Sequence, residues 1–160
     1  MNPTSTAIAP PVIHLAPPPF TTAGVSSPMI DLSGEWTALS PAPATPPPEP
    51  AGRRVLVPGQ WFQQGVIKER SETVMVFREF DVPVDWNSAA RFLLEFESVH
   101  GDCVYWLNGK RIGQSTRLAT PVQLEVAEAL LVGQRHLLAV AMKLESRAEK
   151  SSYMSAYATH

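Results

Sequence analysis

The stretch VYWLNGKRIG, residues 104–113, decides the fold because it carries a complete β-hairpin signal. The dipeptide Asn108-Gly109 suits a two-residue type I′ turn, in which both central residues have positive φ angles. The four residues before the turn alternate between the two faces of a strand, with Val104 and Trp106 on one face and Tyr105 and Leu107 on the other. The stretch therefore predicts two antiparallel strands.

Period-two alternation continues on either side of this hairpin. In the segment TVMVFREFDVP, every second residue lies on the same face of the strand: Val74, Val76, Arg78, Phe80 and Val82. The segment ARFLLEFESV places Phe92, Leu94 and Phe96 opposite Glu95 and Glu97. About eight such strands, spaced roughly 10–15 residues apart without a long helix between them, predict an all-β, antiparallel β-sandwich. Jelly-roll connectivity is one possible wiring of that sandwich.

Proline divides the chain into a leader and a folded part. Of the 16 prolines, 13 lie in the first 50 residues. Proline cannot sustain a helix or a central strand, because it lacks the N–H donor and clashes with the preceding turn. We therefore predict a disordered or polyproline leader over residues 1–28, a folded domain over residues 29–160, and a solvated loop at residues 40–52.

Composition and charge exclude several classes of function. The net charge is −2 and the longest basic run is Arg53-Arg54, which argues against a nucleic-acid partner. The single Cys103 excludes an internal disulfide and a cysteine-based zinc site. No apolar run approaches the roughly 18–20 residues that cross a bilayer, and no convincing signal peptide opens the chain. We expect a soluble bacterial protein with no membrane partner.

Two glutamates have a spacing that deserves comparison with glycosidases. Glu95 and Glu97 lie two apart on a strand, which separates their Cα atoms by about 6.6–6.8 Å. This distance overlaps the carboxylate separations of glycosidases, roughly 5–9.5 Å. Glutamates that alternate with an apolar face are, however, typical of any half-exposed strand. We predict no catalytic role for this pair.

The segment SVHGDCVYW gathers residue types that occur in catalytic triads, namely Ser98, His100, Asp102 and Cys103. Gly101 bends the chain at this point, and adjacency in sequence rarely provides the geometry of a triad. We expect a loop followed by an inert, buried Cys103. The four histidines show no metal-ligand spacing, so neither a metal nor a cofactor is predicted.

Arg78 is an informative charged residue, because it shares a strand face with apolar side chains. A charge in such a position must be paired or lie at the rim of the core. Two interpretations stay open: an ion pair with Glu95, Glu97 or Asp81, or a role at a domain interface or in a sugar pocket. Aromatic side chains offer a further sugar-binding surface, because indoles stack on the apolar faces of sugar rings. The tryptophans are Trp36, Trp61, Trp86 and Trp106. Core or loop positions are the simpler explanation for most of them.

Six motifs follow one another along the chain: LSGEW (32–36), VPGQW (57–61), REFDVPVDW (78–86), FESVHGDCVYWLNGKRIG (96–113), TPVQLEV (120–126) and LLVGQRHLLAVAM (130–142). In this order and spacing they resemble the N-terminal sugar-binding domain of glycoside hydrolase family 2. That family includes β-galactosidases, β-glucuronidases and β-mannosidases. The resemblance covers about residues 30–160.

The resemblance implies a galactose-binding-like jelly roll that is not itself catalytic. In the family this domain precedes an immunoglobulin-like sandwich and a (β/α)₈ barrel, and the barrel holds the two catalytic glutamates. No position of this chain inherits those glutamates. The implied partners are a carbohydrate, as a glycoside, and the remaining domains of the parent hydrolase. A free-standing carbohydrate-binding module or an interaction domain remains the alternative.

Particular residues receive roles under this resemblance. The candidates for carbohydrate binding or for a domain interface are Arg78, His100, Tyr105 and Arg117. The candidates for structural roles are Trp36, Trp61, Trp106, Asn108 and Gly109. We expect Trp106 to pack inward with Val104, and Tyr105 to face a neighbouring domain. A one-residue slip of the hairpin would exchange these two aromatic side chains, so the turn must fix the register.

The chain also departs from the family pattern. β-Galactosidases of the family carry Trp-Ser-Asp-Gly soon after the last matched strand, where this chain has Leu-Glu-Ser-Arg at residues 144–147. Galactosidase specificity is therefore not implied. The segment after Met142 is polar and irregular, and we expect the chain to stop before the next strand of the family. The domain would then be truncated and would leave one sheet edge unpaired.

Overall fold

Ten strands and no helix make up the part of the chain that can be described. A computed structural model describes residues 28–61, 63–66, 73–86, 91–99, 101–116, 120–143 and 156–159. The strands are β1 (Met29–Asp31), β2 (Gly34–Leu39), β3 (Arg53–Val57), β4 (Thr73–Asp81), β5 (Leu93–Val99), β6 (Asp102–Leu107), β7 (Lys110–Ser115), β8 (Thr120–Glu125), β9 (Arg135–Lys143) and β10 (Ala156–Thr159). The predicted leader lies outside these ranges, apart from Pro28. None of the described elements is a helix that could cross a membrane.

The strands form two antiparallel sheets. The four-stranded sheet has the order β1-β10-β5-β8, and the six-stranded sheet has the order β3-β2-β4-β9-β6-β7. Every paired neighbour runs antiparallel. The predicted all-β, antiparallel β-sandwich is therefore confirmed.

One apolar core lies between the two sheets. It receives the inward residues of β4 and of the β5 segment, as the alternation predicts: Val74, Val76, Phe80, Phe92, Leu94 and Phe96. Glu95 is half-buried and Glu97 is exposed on the opposite face of β5. Each large apolar side chain buried in this way stabilises the fold by about 1.5–3 kcal/mol relative to an exposed position.

The hairpin at Asn108-Gly109 forms as predicted. Asn108 has a φ of 51° and Gly109 a φ of 78°, which is the left-handed conformation that a type I′ turn requires. Leu107 pairs with Lys110 across the turn, and the register shifts by one residue between Tyr105 and Trp106. This shift is a β-bulge, which increases the local twist of the strand pair.

The predicted orientation of the two aromatic residues in β6 is wrong. Tyr105 is fully buried in the core between the sheets, whereas Trp106 lies on the outer face of the six-stranded sheet. Trp106 does pack with Val104, in a second apolar cluster that includes Met75, Phe77 and Ala139. The physical reason is that both faces of β6 are apolar, so alternation alone cannot distinguish the inner face from the outer one.

The proline-rich loop between β2 and β3 lies partly on that outer face. Ala42 packs against the second cluster, and its N–H donates to the carbonyl of Thr73 over 2.7 Å. At the other end of the loop, a Cβ on Gly52 would come within 2.2 Å of the Ala38 carbonyl oxygen. The segment is a loop, as predicted, but it is anchored to the sheet rather than wholly solvated.

The end of the segment after Met142, which was predicted to be irregular, is a strand. Residues 156–159 form β10, which pairs with β1 on one side and with β5 on the other. Ala156 and Ala158 are fully buried. The strand escaped prediction because its inward residues are small, and small residues give a weak hydrophobic pattern.

Candidate functional site

A cleft of about 610 Å³ crosses the outer face of the six-stranded sheet beside Arg78. We call it the Arg78 cleft. Its lining comes from β2 (Glu35, Thr37), the proline-rich loop (residues 49–51), β4 (residues 77–79) and β9 (Leu137). Its size lies within the range of small-molecule sites, roughly 300–1,000 Å³. The loop predicted to be solvated thus supplies one wall of the cleft.

Arg78 is held in this cleft by main-chain carbonyl groups. Strand β2 pairs with β4 only as far as Thr37 and Phe77, and then the two strands separate. The guanidinium of Arg78 reaches into this gap and donates to the carbonyl oxygen of Glu35, and more weakly to that of Ser33 at 3.5 Å. Arg78 therefore supplies donors to strand carbonyls that would otherwise lack a partner on this side.

Three acidic side chains at or beside the cleft, Glu35, Glu79 and Asp81, are paired with arginines. Arg54 donates to both carboxylate oxygens of Glu35, at 3.0 and 3.2 Å. Arg135 lies 3.9 Å from Glu79 and donates to both oxygens of Asp81, at 2.9 and 3.1 Å. The hydrogen bond from Arg135 lowers the pKa of Asp81 below its usual value. These pairs are exposed, so each contributes little to stability.

This arrangement suits binding rather than catalysis. Carboxylates and a guanidinium can accept and donate hydrogen bonds to the hydroxyl groups of a ligand. A general acid of the glycosidase type needs a carboxyl group in an apolar enclosure. Among the described residues of the cleft, Glu35, Glu49 and Glu79 are all exposed, so none of them has such an enclosure.

Tyr105 does not lie at a surface, contrary to the predicted orientation toward a neighbouring domain. Its side chain is fully buried, and its hydroxyl lies 2.9 Å from the hydroxyl of Ser115. Burial raises the pKa of Tyr105 above its usual value. Tyr105 also packs on Phe96, with ring centroids 4.8 Å apart. These contacts make it part of the core. The candidates His100 and Arg117 lie outside the described residues.

Cys103 has the properties of an inert core residue. It is buried, and burial raises the pKa of its thiol to about 12. The nucleophilic thiolate is therefore scarce at neutral pH. Gly101 beside it has a φ of 101°, which produces the expected bend. Across the described ranges, no group of three or more His, Cys, Asp or Glu side chains is placed to hold a metal ion.

The structural tryptophans contribute to packing rather than to an exposed sugar platform. Trp36 is buried, and its indole N–H donates to the carbonyl of Leu32 over 2.8 Å. Trp61 is fully buried as well. Trp86 stacks on Phe92 with ring centroids 5.9 Å apart and planes 8° from parallel.

The sequence did not reveal a polar network beneath the hairpin turn. The side-chain oxygen of Asn108 accepts from the Leu137 N–H at 3.0 Å, so its amide nitrogen is the end that faces His136 Nδ1 at 2.8 Å. The other ring nitrogen of His136 lies 2.8 Å from the Leu131 carbonyl oxygen. The Asn108 amide nitrogen can only donate, so Nδ1 of His136 accepts this hydrogen bond. The Asn-Gly dipeptide predicts the turn, but it does not indicate the hydrogen bonds that Asn108 makes with residues distant in sequence.

Three solved structures show the same fold within larger chains. The Faecalibacterium prausnitzii β-glucuronidase matches with a TM-score of 0.70 and 18% identity over 88% of this chain and 32% of its own. The Dictyoglomus thermophilum β-D-mannosidase matches with a TM-score of 0.59 and 21% identity over 79% of this chain and 17% of its own. A glycosyl hydrolase family 2 member from Bacteroides cellulosilyticus matches with a TM-score of 0.64 and 12% identity over 82% of this chain and 20% of its own.

These similarities concern the fold. No protein-family model matches the sequence, and no curated protein does. The chain spans about a third or less of each enzyme that it resembles. The shared architecture is therefore one part of those enzymes rather than their whole length.

Proposed function

We propose that this chain is a non-catalytic, N-terminal sugar-binding and scaffold domain of a family 2 glycoside hydrolase. One observation carries the proposal. The fold similarity covers most of this chain, but it covers at most 32% of the hydrolases that share the fold. A domain that recurs as a fraction of several hydrolases is best explained as a module of such an enzyme.

The resemblance in sequence supports the same conclusion independently. Six motifs between Leu32 and Met142 occur in the family's order, and the hairpin in the fourth motif has the turn that its sequence demands. In the family the domain adopts jelly-roll connectivity and precedes the immunoglobulin-like sandwich and the barrel. In this proposal the domain supports that barrel and helps to shape the mouth of its active site.

The chemistry of the described residues fits a role without bond cleavage. Glu95 and Glu97 lie on the solvent face of β5, and Glu95 accepts a hydrogen bond from Gln123 at 2.6 Å. A glycosidase needs two carboxyl groups that converge on one glycosidic bond from opposite sides. Two glutamates side by side on an open strand do not provide that arrangement.

Two measurements test the proposal. The purified chain should not hydrolyse p-nitrophenyl β-glucuronide, β-galactoside or β-mannoside, because no acid and nucleophile pair converges among the residues that the structure describes. Turnover that disappears in Glu95→Gln or Glu97→Gln would refute the non-catalytic assignment. The genomic reading frame should continue past codon 160 into sequence for the sandwich and the barrel. A stop codon at that point would instead favour a free-standing carbohydrate-binding module.

A further inference from the structure

A second cleft lies where the edge strands of the two sheets, β7 and β8, run side by side. The two strands approach closely at Gly113, where an added Cβ would come within 2.7 Å of the Leu124 side chain. On one side of this contact the strands border a cavity of about 370 Å³, which we call the seam cleft. Its size falls within the range of small-molecule sites.

The seam cleft is lined by side chains that carry no formal charge. Gln114, Ser115 and Thr116 come from β7 and the residue after it, and residues 121–124 come from β8. The Arg78 cleft, by contrast, is lined by three glutamates and one arginine. The cleft on the other side of the Gly113 contact also has charged walls. Among these three clefts, the seam cleft is therefore the one whose lining residues are all uncharged.

The side-chain amides of two glutamines, one on each sheet, are oriented by hydrogen bonds within the protein. The amide nitrogen of Gln123 donates to Glu95 over 2.6 Å, which leaves its carbonyl oxygen as the end that can accept. The carbonyl oxygen of Gln114 accepts from Arg111, which leaves its amide nitrogen as the end that can donate. Each glutamine therefore keeps one free end, an acceptor on Gln123 and a donor on Gln114.

The floor between these walls is apolar and firmly held. Val122 and Leu124 are half-buried and pack against the core of the sandwich. The hydroxyl of Ser115 is fixed by its contact with the buried Tyr105 hydroxyl at 2.9 Å. The cleft therefore combines a rigid apolar surface with neutral donors and acceptors along its edges.

We propose that the seam cleft binds a neutral sugar ring. Sugar hydroxyls both donate and accept hydrogen bonds, and the C–H faces of a pyranose can pack on Val122 and Leu124. A uronate or an amino sugar would lose hydration of its charge without gaining a charged partner among the lining residues. The inference rests on the proposed sugar-binding function and specifies where and for which class of sugar that function operates.

The test is an amide-resolved NMR titration of the 160-residue chain. The probes are methyl β-D-glucopyranoside, methyl β-D-galactopyranoside, methyl β-D-mannopyranoside and sodium D-glucuronate, each up to about 50 mM so that millimolar dissociation constants are detected. At least one neutral glycoside should shift the amides of residues 113–116 and 122–124. Glucuronate should shift these amide signals less.

Gln123→Leu should weaken neutral-sugar binding about three- to tenfold through loss of one uncharged hydrogen bond. Gln60→Leu, at an exposed glutamine after β3, is the matched control and should bind as the unaltered chain does.

The remaining outcomes separate this inference from the function on which it rests. If a neutral glycoside shifts amides only around Thr37 and Glu79, sugar binding stands and the seam cleft is refuted as its site. If glucuronate binds the seam cleft as tightly as the neutral sugars, the assigned ligand class is wrong. If no probe shifts any amide, both the seam cleft and the sugar-binding part of the proposed function fall.

Discussion

Replacing Asn108 with glycine isolates the contribution of its side chain, because glycine retains the positive φ that the turn requires. The variant loses the acceptor for the Leu137 N–H at 3.0 Å and the donor for His136 Nδ1 at 2.8 Å. His136 is 1% exposed, so its ring nitrogen faces the protein interior after the change. The substitution thus removes these two hydrogen bonds and a longer one to the Ala129 carbonyl at 3.5 Å, and it leaves a buried acceptor without its donor.

The expected cost follows from the loss of the two shorter hydrogen bonds. A buried acceptor left unsatisfied costs about 1–3 kcal/mol, and the bond to the Leu137 N–H contributes about 0.5–1.5 kcal/mol. Together they predict that the free energy of unfolding falls by about 2–4 kcal/mol, which lowers Tm by about 5–15 °C for a chain of this size. Asn108→Ala should cost about 1–2 kcal/mol more, because alanine disfavours the left-handed conformation.

Urea unfolding followed by tryptophan fluorescence measures these differences. His136→Leu and the double variant complete a double-mutant cycle, in which the two positions should couple by about 1 kcal/mol or more. Glu128→Gly, at an exposed turn position, controls for the flexibility that glycine adds to the unfolded chain. The reasoning fails if Asn108→Gly is no less stable than this control, or if the coupling is near zero.

Three further experiments have specific expected outcomes. In the folded protein, the Cys103 thiol should react with a thiol reagent far more slowly than it does in protein unfolded by urea, because burial raises its pKa to about 12. Equal reaction rates in the two states would contradict this prediction. Arg135→Gln should raise the pKa of Asp81 toward its usual value in a carboxyl NMR titration. The unaltered chain should lose the corresponding stabilisation as the pH falls through the lowered pKa, and an unchanged titration in the variant would oppose this. Gln64→Ala should increase light scattering more than Gln60→Ala does, because the Gln64 amide covers the edge of β3; equal scattering would argue against this role.

The elements predicted correctly are those whose signal is local. The turn at Asn108-Gly109 follows from two residues and their tolerance of positive φ. The inner face of β5 follows from its alternation, because Glu95 and Glu97 mark the other face as polar. Where a strand has one apolar face and one polar face, its orientation can be predicted from the sequence alone.

The orientation of β6 could not be predicted in this way. Its outer face carries Val104 and Trp106 because the six-stranded sheet has a second apolar cluster on that side. A strand with two apolar faces has no polar residues to indicate which side meets solvent. Its orientation depends instead on neighbouring strands, whose order in the sheet is a long-range property.

The same distinction explains why Arg78 was recognised as unusual but not understood. A charge on an apolar strand face predicts a pairing partner or a position at the rim of the core, and the ion-pair interpretation expected carboxylates. Its actual partners are main-chain carbonyls of Ser33 and Glu35, which β4 does not satisfy because β2 has diverged from it. The sequence pattern of either strand does not indicate the position where the two strands stop pairing.

The Arg78 cleft and the seam cleft both depend on such positions. The first lies where β2 separates from β4, and the second lies where β7 and β8 approach each other without joining one sheet. Candidate sites in this sandwich therefore follow from its topology, whereas its core follows from its alternation.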